Sequence, residues 1–147
     1  MLTRLALSLL VAFGVSAQQP NLSGQWIALV DDNAAALKAG LMAPLKLNRM
    51  TITQNAESFT VETPVRRLTV RIGGSPTTHV GPSGWGEAET TAVWIGTRLM
   101  VTTVSNGIRS TTFYALRGDT LIATFEYDGV PRRTVDTVYR RDASGRR

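Results

Sequence analysis

Apolar and polar residues alternate along most of the chain, in short runs separated by turn signals. The clearest run is residues 66–72, where Leu68, Val70 and Ile72 alternate with basic and hydroxyl residues. A period of two is typical of a β-strand with one buried face and one solvated face. The pattern predicts strands over residues 24–30, 47–54, 58–63, 66–72, 87–95, 98–105, 108–116, 120–127 and 134–141.

The connections between these strands are short. Asn106-Gly107 is the strongest hairpin signal, because both positions accept positive φ, and Asp128-Gly129 is a second one. Eight or nine strands that turn about every 8 to 12 residues are typical of a β-sandwich or an up-and-down barrel. Hairpin-length connections favour a meander. A meander of about eight antiparallel strands closes most easily into a barrel, because closure removes the exposed edges.

Two segments depart from the strand pattern. Residues 34–39 predict one short helix after the first strand, since residues 31–33 offer N-cap side chains and Gly40 stands where a glycine ends a helix. The segment from Gly73 to Gly86 is rich in glycine and proline. It is interpreted as a long loop with room for a short strand at residues 77–80.

The first 17 residues have the layout of a secretory signal peptide. Arg4 provides a short positive region, residues 5–15 are apolar, and small residues precede a cleavage site after Ala17. The apolar run is shorter than the roughly 20 residues of a membrane-spanning helix, so no transmembrane segment is expected in the mature chain. We therefore expect an exported protein, periplasmic or extracellular, with a barrel domain over residues 18–142 and a flexible tail over residues 143–147.

Composition narrows the possible chemistry. The 147 residues include no Cys and one His, and 16 Lys and Arg against 11 Asp and Glu give a net charge of +5. The absence of Cys excludes disulfides, thiolate metal sites and cysteine nucleophiles. One His excludes a multi-histidine metal site, so neither a metal nor a cofactor is expected. Without Arg4 the net charge is +4, a modest value that does not indicate a nucleic-acid partner for an exported protein.

Several short motifs are similar to those of one group of known proteins. Residues 21–26, Asn-Leu-Ser-Gly-Gln-Trp, resemble the N-L-S-G-x-W opening of small exported bacterial barrels that are described as lipocalin-like. Further similar segments occur at residues 47–54, 94–99, 114–116 and 138–141. The resemblance implies a lipocalin-like up-and-down barrel and an export route. It implies no particular reaction.

The first functional hypothesis is a non-catalytic, monomeric binding protein for a small apolar or amphipathic ligand. Such a site needs mostly apolar walls with a few placed polar groups. The candidate inward-facing aromatic residues are Trp26, Trp94, Tyr114, Phe125 and Tyr139. Consecutive strand residues face opposite sides, so the doublet Arg66-Arg67 places at most one arginine inside the barrel, where Arg66 or Arg67 would anchor an anionic group.

Two other hypotheses use the glycine-rich segment between Gly73 and Gly86. In one, the barrel interior is filled, and the chain is an interaction or structural protein of the cell envelope that acts through this loop, with Trp85 marking the contact surface. In the other, His79 serves as a haem ligand or a general base. A single imidazole, no thiol and scattered carboxylates argue against catalysis, so an enzyme is not expected.

Overall fold

The computed structural model describes residues 18–29, 33, 38, 49–80 and 86–145. Within these residues, ten strands form a single antiparallel sheet. They are β1 (Gly24–Ala28), β2 (Arg49–Gln54), β3 (Ser58–Thr63), β4 (Arg66–Arg71), β5 (Thr77–Val80), β6 (Glu87–Ile95), β7 (Arg98–Ser105), β8 (Ile108–Arg117), β9 (Thr120–Tyr127) and β10 (Arg133–Arg141). The count slightly exceeds the eight or nine strands expected from the pattern. The tenth is β5, the short strand for which the glycine-rich segment had room, and it pairs with β6 along its whole length.

The strand order is that of a meander that closes on itself. Every strand except β4 pairs with the strand that follows it in the sequence, and β1 pairs with β10. The sheet therefore runs in the order β4-β3-β2-β1-β10-β9-β8-β7-β6-β5. Pairing of the first strand with the last curls the sheet into a nearly closed barrel. The predicted all-β, up-and-down antiparallel barrel is therefore confirmed.

The barrel wall is interrupted between β4 and β5, which form no ladder with each other. At one end of the interruption, Ile72 and Ala92 form an isolated parallel bridge, and the amide of Gly73 donates to the Ala92 carbonyl at 2.7 Å. At the other end, the side chains of Arg66 and His79 meet. Backbone hydrogen bonds thus hold one end of the gap, and a side-chain contact spans the other.

A hydrophobic core fills one end of the barrel and is centred on Trp26. Its buried members are Leu22, Trp26, Met50, Ile52, Phe59, Val70, Ala92, Leu99, Val101 and Leu121. The Trp26 indole donates to the Leu22 carbonyl at 3.1 Å. The Arg141 guanidinium lies 4.5 Å from the centroid of the Trp26 ring and donates to the Ser23 carbonyl at 3.0 Å. These hydrogen bonds to Leu22 and Ser23 hold the segment before β1 against this end of the barrel.

Asn33 was expected to cap a helix, but its side chain connects strands. Its Nδ2 donates to the carbonyls of Leu29 and Val138, and its Oδ1 accepts from the Val138 amide at 2.7 Å. Asn33 is 1% exposed, so its burial requires these partners. The predicted helix lies outside the described residues except for Lys38, as do residues 1–17 of the predicted signal peptide.

The C-terminal segment that was interpreted as a flexible tail begins with a 3-10 turn at Ala143–Gly145. No helical segment among the described residues has the length and hydropathy needed to cross a bilayer.

Candidate functional site

The barrel interior is hollow beyond the core. A cavity of about 290 Å³ is lined by Phe59, Val61, Thr63, Arg66, Leu68, Val101, Thr103, Ser110, Thr112, Tyr114 and Phe125. A second lobe of about 270 Å³ is lined by Thr112, Tyr114, Ala123, Phe125, Thr137 and Tyr139. The two lobes adjoin, because Thr112, Tyr114 and Phe125 line both of them. Together they reach the size of ordinary small-molecule pockets, which begin at roughly 300 Å³.

The size of the inward side chains explains where the cavity lies. Inward positions alternate along each strand, so β7 presents Leu99 and Thr103 to the same interior. Near the core around Trp26, these inward positions hold large buried side chains such as Leu99 and Leu121. Further along the strands they hold Ser110 and Thr112 instead. These smaller hydroxyl side chains leave space that the barrel wall cannot collapse to fill.

Arg66 is the positively charged residue in the wall of the first lobe. No ion pair among the described residues includes it, whereas Arg49, Arg67 and Arg132 each lie beside a carboxylate. Burial lowers the pKa of Arg66 from its usual value, although a guanidinium stays protonated at neutral pH. The first lobe therefore holds a positive charge without a carboxylate partner among the described residues.

A chain of hydrogen bonds extends from Arg66 across the β4–β5 gap. The Arg66 guanidinium lies 3.4 Å from His79 Nδ1, and His79 Nε2 lies 2.7 Å from the Thr90 hydroxyl. The Thr90 hydroxyl lies 2.8 Å from that of Thr103. His79 Nδ1 is also 3.0 Å from the Val80 carbonyl, so it either accepts from Arg66 or donates to Val80. His79 thus supports Arg66 from the neighbouring strand.

The two tyrosines of the site are neutral hydrogen-bonding groups. The Tyr114 ring packs against Phe59 with centroids 5.1 Å apart. Burial raises the pKa of Tyr114 well above its usual range; nearby Tyr139 raises it further and Arg66 partly counteracts this. Burial also raises the pKa of Tyr139. Both phenols therefore remain able to donate and accept at physiological pH.

Four of the residues singled out from the sequence meet in this cavity: Arg66, Tyr114, Phe125 and Tyr139. The hydroxyl residues around them were not singled out. A signal for them was present, because Thr112 lies two positions from Tyr114, and Thr137 lies two positions from Tyr139, on the same face of a strand. The candidates for ligand binding were chosen among aromatic and basic residues, so the threonines of the same strand faces were missed.

The other candidates lie elsewhere. Arg67 faces away from the interior, 4.0 Å from Glu62. Trp26 belongs to the hydrophobic core, and Trp94 packs against that core. The indole N–H of Trp94 has no hydrogen-bond partner among the described residues. His79 is on strand β5, at the position of the short strand expected over residues 77–80, and it contacts Arg66 without lining either lobe. Trp85 lies outside the described residues.

Comparisons with known proteins identify the fold. No protein-family model matches the chain, and no curated protein is significantly similar to it in sequence. The structure of human cRBP IV is 20% identical and superimposes with a TM-score of 0.57 over 84% of this chain and 99% of that one. The REP1-NXSQ fatty acid transporter is 14% identical, with a TM-score of 0.61 over 82% of this chain and 96% of the other.

A third similar structure is the fatty-acid-binding protein 1 of Echinococcus granulosus. It is 12% identical, with a TM-score of 0.57 over 83% of this chain and 98% of the other. The chain has a lipocalin-like, fatty-acid-binding-protein-like barrel fold. At these identities the likeness concerns the fold. The names of the latter two proteins describe binding and transport.

Proposed function

We propose that this protein is a non-catalytic binding protein that holds a small amphipathic ligand with an anionic group inside the barrel. The observation that carries the proposal is Arg66, a partly buried cation that lines a cavity with mostly apolar walls and has no carboxylate partner among the described residues. A guanidinium in that position is best stabilised by a bound carboxylate, which it can contact through two parallel hydrogen bonds.

The apolar part of the ligand would contact the ring of Phe59 and the side chains of Val61, Leu68, Val101 and Phe125. Burial of apolar surface against such walls contributes about 25 cal/mol for each Å² removed from water. The transporter and the binding protein of similar fold carry fatty acids in their names, which agrees with a ligand of this class.

The role of His79 follows from its contacts. Both ring nitrogens already lie within hydrogen-bonding distance of Arg66 or Thr90. This arrangement favours a residue that orients the arginine over a haem ligand or a general base. We therefore assign His79 a positioning role beside the anion anchor.

We also propose that the chain is exported and works as a monomer. The support for export is the pattern of residues 1–17, with Arg4, an apolar run and small residues up to Ala17. The support for a monomer is the pairing of β1 with β10, which leaves the sheet edges only at the β4–β5 gap.

The test is a pair of adjacent arginine variants, Arg66→Gln and Arg67→Gln, titrated with dodecanoate by calorimetry. Loss of a charge-assisted contact costs about 1.5–3 kcal/mol. We therefore expect Arg66→Gln to weaken dodecanoate binding by about 10- to 100-fold. Arg67→Gln is the matched control, because Arg67 faces outward, and it should bind as the unmodified protein does.

Dodecanol is the matched ligand control, because it has the same chain and no charge. Its affinity should change little in Arg66→Gln. Equal loss in both arginine variants would contradict the assignment of Arg66 as anion anchor. If neither dodecanoate nor dodecanol binds the unmodified protein, the binding function is wrong, and a ligand-free interaction protein that acts through residues 73–86 becomes the better proposal.

A further inference from the structure

The cavity wall contains five hydroxyl groups that make no hydrogen bond with the rest of the described protein. They belong to Ser110, Thr112, Tyr114, Thr137 and Tyr139. Thr137 is buried, the other four residues are partly buried, and all five line the cavity. None of the five is a buried atom left without a partner, since Trp94 Nε1 is the one such atom among the described residues, so these hydroxyls are open to water in the cavity. A ligand that fills the space must replace the hydrogen bonds of that water.

Several threonines elsewhere in the barrel wall hydrogen-bond one another in pairs. Thr90 and Thr103 face inward and lie 2.8 Å apart. On other parts of the wall, Thr60 meets Thr69 at 2.9 Å. In these pairs, threonines on neighbouring strands lie opposite each other and their hydroxyls form a hydrogen bond. The arrangement differs in the second lobe, where the hydroxyls face the cavity.

Four of the five unpaired hydroxyls line the second lobe, and three of the five line the first lobe, where Arg66 lies. Four of the six residues around the second lobe carry a hydroxyl, whereas Arg66 lines only the first lobe. Tyr114 belongs to both lobes and interacts electrostatically with both Arg66 and Tyr139. The site thus has a first lobe that holds Arg66 and apolar residues such as Phe59, and a second lobe in which neutral hydroxyl groups predominate.

A ligand with a plain hydrocarbon chain would displace water from these hydroxyls without replacing its hydrogen bonds. Leaving a buried hydroxyl unsatisfied is costly. Sites built to hydrogen-bond a ligand group discriminate strongly against the analogue that lacks it. A ligand with a suitably placed oxygen avoids this cost.

We propose that the ligand is an amphipathic carboxylate that carries a second oxygen function, a hydroxyl or a carbonyl, on its apolar body. The carboxylate contacts Arg66, and the second oxygen hydrogen-bonds with the phenol of Tyr139 and the hydroxyl of Thr137. Tyr114 contacts the ligand between the two. This inference rests on the proposed function and specifies the ligand class for the same cavity.

The experiment compares dodecanoate with two hydroxylated analogues, one with a terminal hydroxyl and one with a mid-chain hydroxyl, by calorimetry. At least one analogue should bind about 10-fold more tightly than dodecanoate. The double variant Thr137→Val, Tyr139→Phe should lose this preference while still binding dodecanoate, because both substitutions keep the shape of the side chain. Thr102→Val is the control, because Thr102 hydrogen-bonds with Thr111 and does not line the cavity.

The outcomes separate this inference from the function on which it rests. Dodecanoate binding with no gain from either hydroxyl overturns the oxygenated ligand and leaves the binding function intact. A preference that survives in the double variant overturns the assignment to Tyr139 and Thr137. Failure of all three probes to bind the unmodified protein overturns both proposals. Thermal unfolding of each variant, followed by circular dichroism, shows that the barrel is folded in every comparison.

Discussion

Tyr114 contacts several parts of the binding site. Its ring packs against Phe59, it lines both lobes, and its phenol is affected by the charge of Arg66 and by Tyr139. Burial favours the neutral form of both phenols, so the folded protein holds their protons more tightly than the unfolded chain does. At the scale of single residues, the two phenols therefore supply neutral hydrogen-bonding groups, and the charge of the site is that of Arg66.

The first prediction concerns stability at alkaline pH. The folded pKa of Tyr114 lies above the unfolded value of about 10, so its contribution to stability is complete below pH 10 and is lost as pH rises towards the folded pKa. The free energy of unfolding should therefore fall above pH 10, by up to about 1.4 kcal/mol per pH unit for each such tyrosine. Urea unfolding over a pH series measures this slope.

Tyr114→Phe removes the titrating group and keeps the ring, so its unfolding free energy should fall less steeply above pH 10 than that of the unmodified protein. Parallel slopes for the two proteins would contradict the assigned burial of the Tyr114 phenol. The absolute stability of the variant does not enter the comparison, because only the slope is diagnostic.

At the scale of elements, the gap between β4 and β5 distinguishes this sheet from a fully closed barrel. β5 has four residues and pairs only with β6, and β4 pairs only with β3. Both strands thus present an edge to the gap, which Arg66 and His79 span with a single side-chain contact. Strand edges with few backbone hydrogen bonds open locally at low free-energy cost.

A hydrogen-exchange measurement tests this description of the gap. The backbone amides of β4 and β5 that point into the gap should exchange faster than those in the middle of β8, which is paired on both sides. Amide exchange followed by nuclear magnetic resonance resolves the two groups. Equal protection in the gap and in β8 would show that the two edges are held by contacts that the structure does not include.

At the scale of the whole molecule, closure does not depend on covalent links. The chain has no Cys, so the barrel is held by strand pairing, by the core around Trp26 and by buried contacts such as those of Asn33. An exported protein of this kind can fold without oxidation. The proposed export route therefore adds no requirement for disulfide chemistry.

The export proposal predicts a defined mature N-terminus. When the whole chain is expressed in a bacterial host, the protein recovered from the periplasm or the medium should begin at Gln18, as measured by intact mass. Ala17→Leu should impair cleavage, because the cleavage site requires small residues. Gln19→Ala is the control and should leave processing unchanged. Recovery of uncleaved chain from the cytoplasm alone would contradict export.

The pattern of the sequence was sufficient for the strands, the hairpins and the orientation of most side chains. Alternation with a period of two is local, and so is the φ requirement at Asn106 and Gly107, both of which have positive φ in the structure. The same local rule places one arginine of the Arg66-Arg67 doublet inside. Closure of the meander followed from the number of strands and the short turns.

Only the tertiary structure decides which inward residues meet. The placement of Arg66 beside His79 depends on the register of β5 against β6 and on the gap that β4 and β5 leave. The grouping of Tyr139 with Thr112 depends on the pairing of β8, β9 and β10. These are long-range relations, set by the balance of packing over the whole barrel, whereas alternation is set by the geometry of a single strand. The sequence therefore predicts a barrel with aromatic residues and an arginine inside, and the fold determines that Arg66 and a group of hydroxyl residues line adjoining lobes of one cavity.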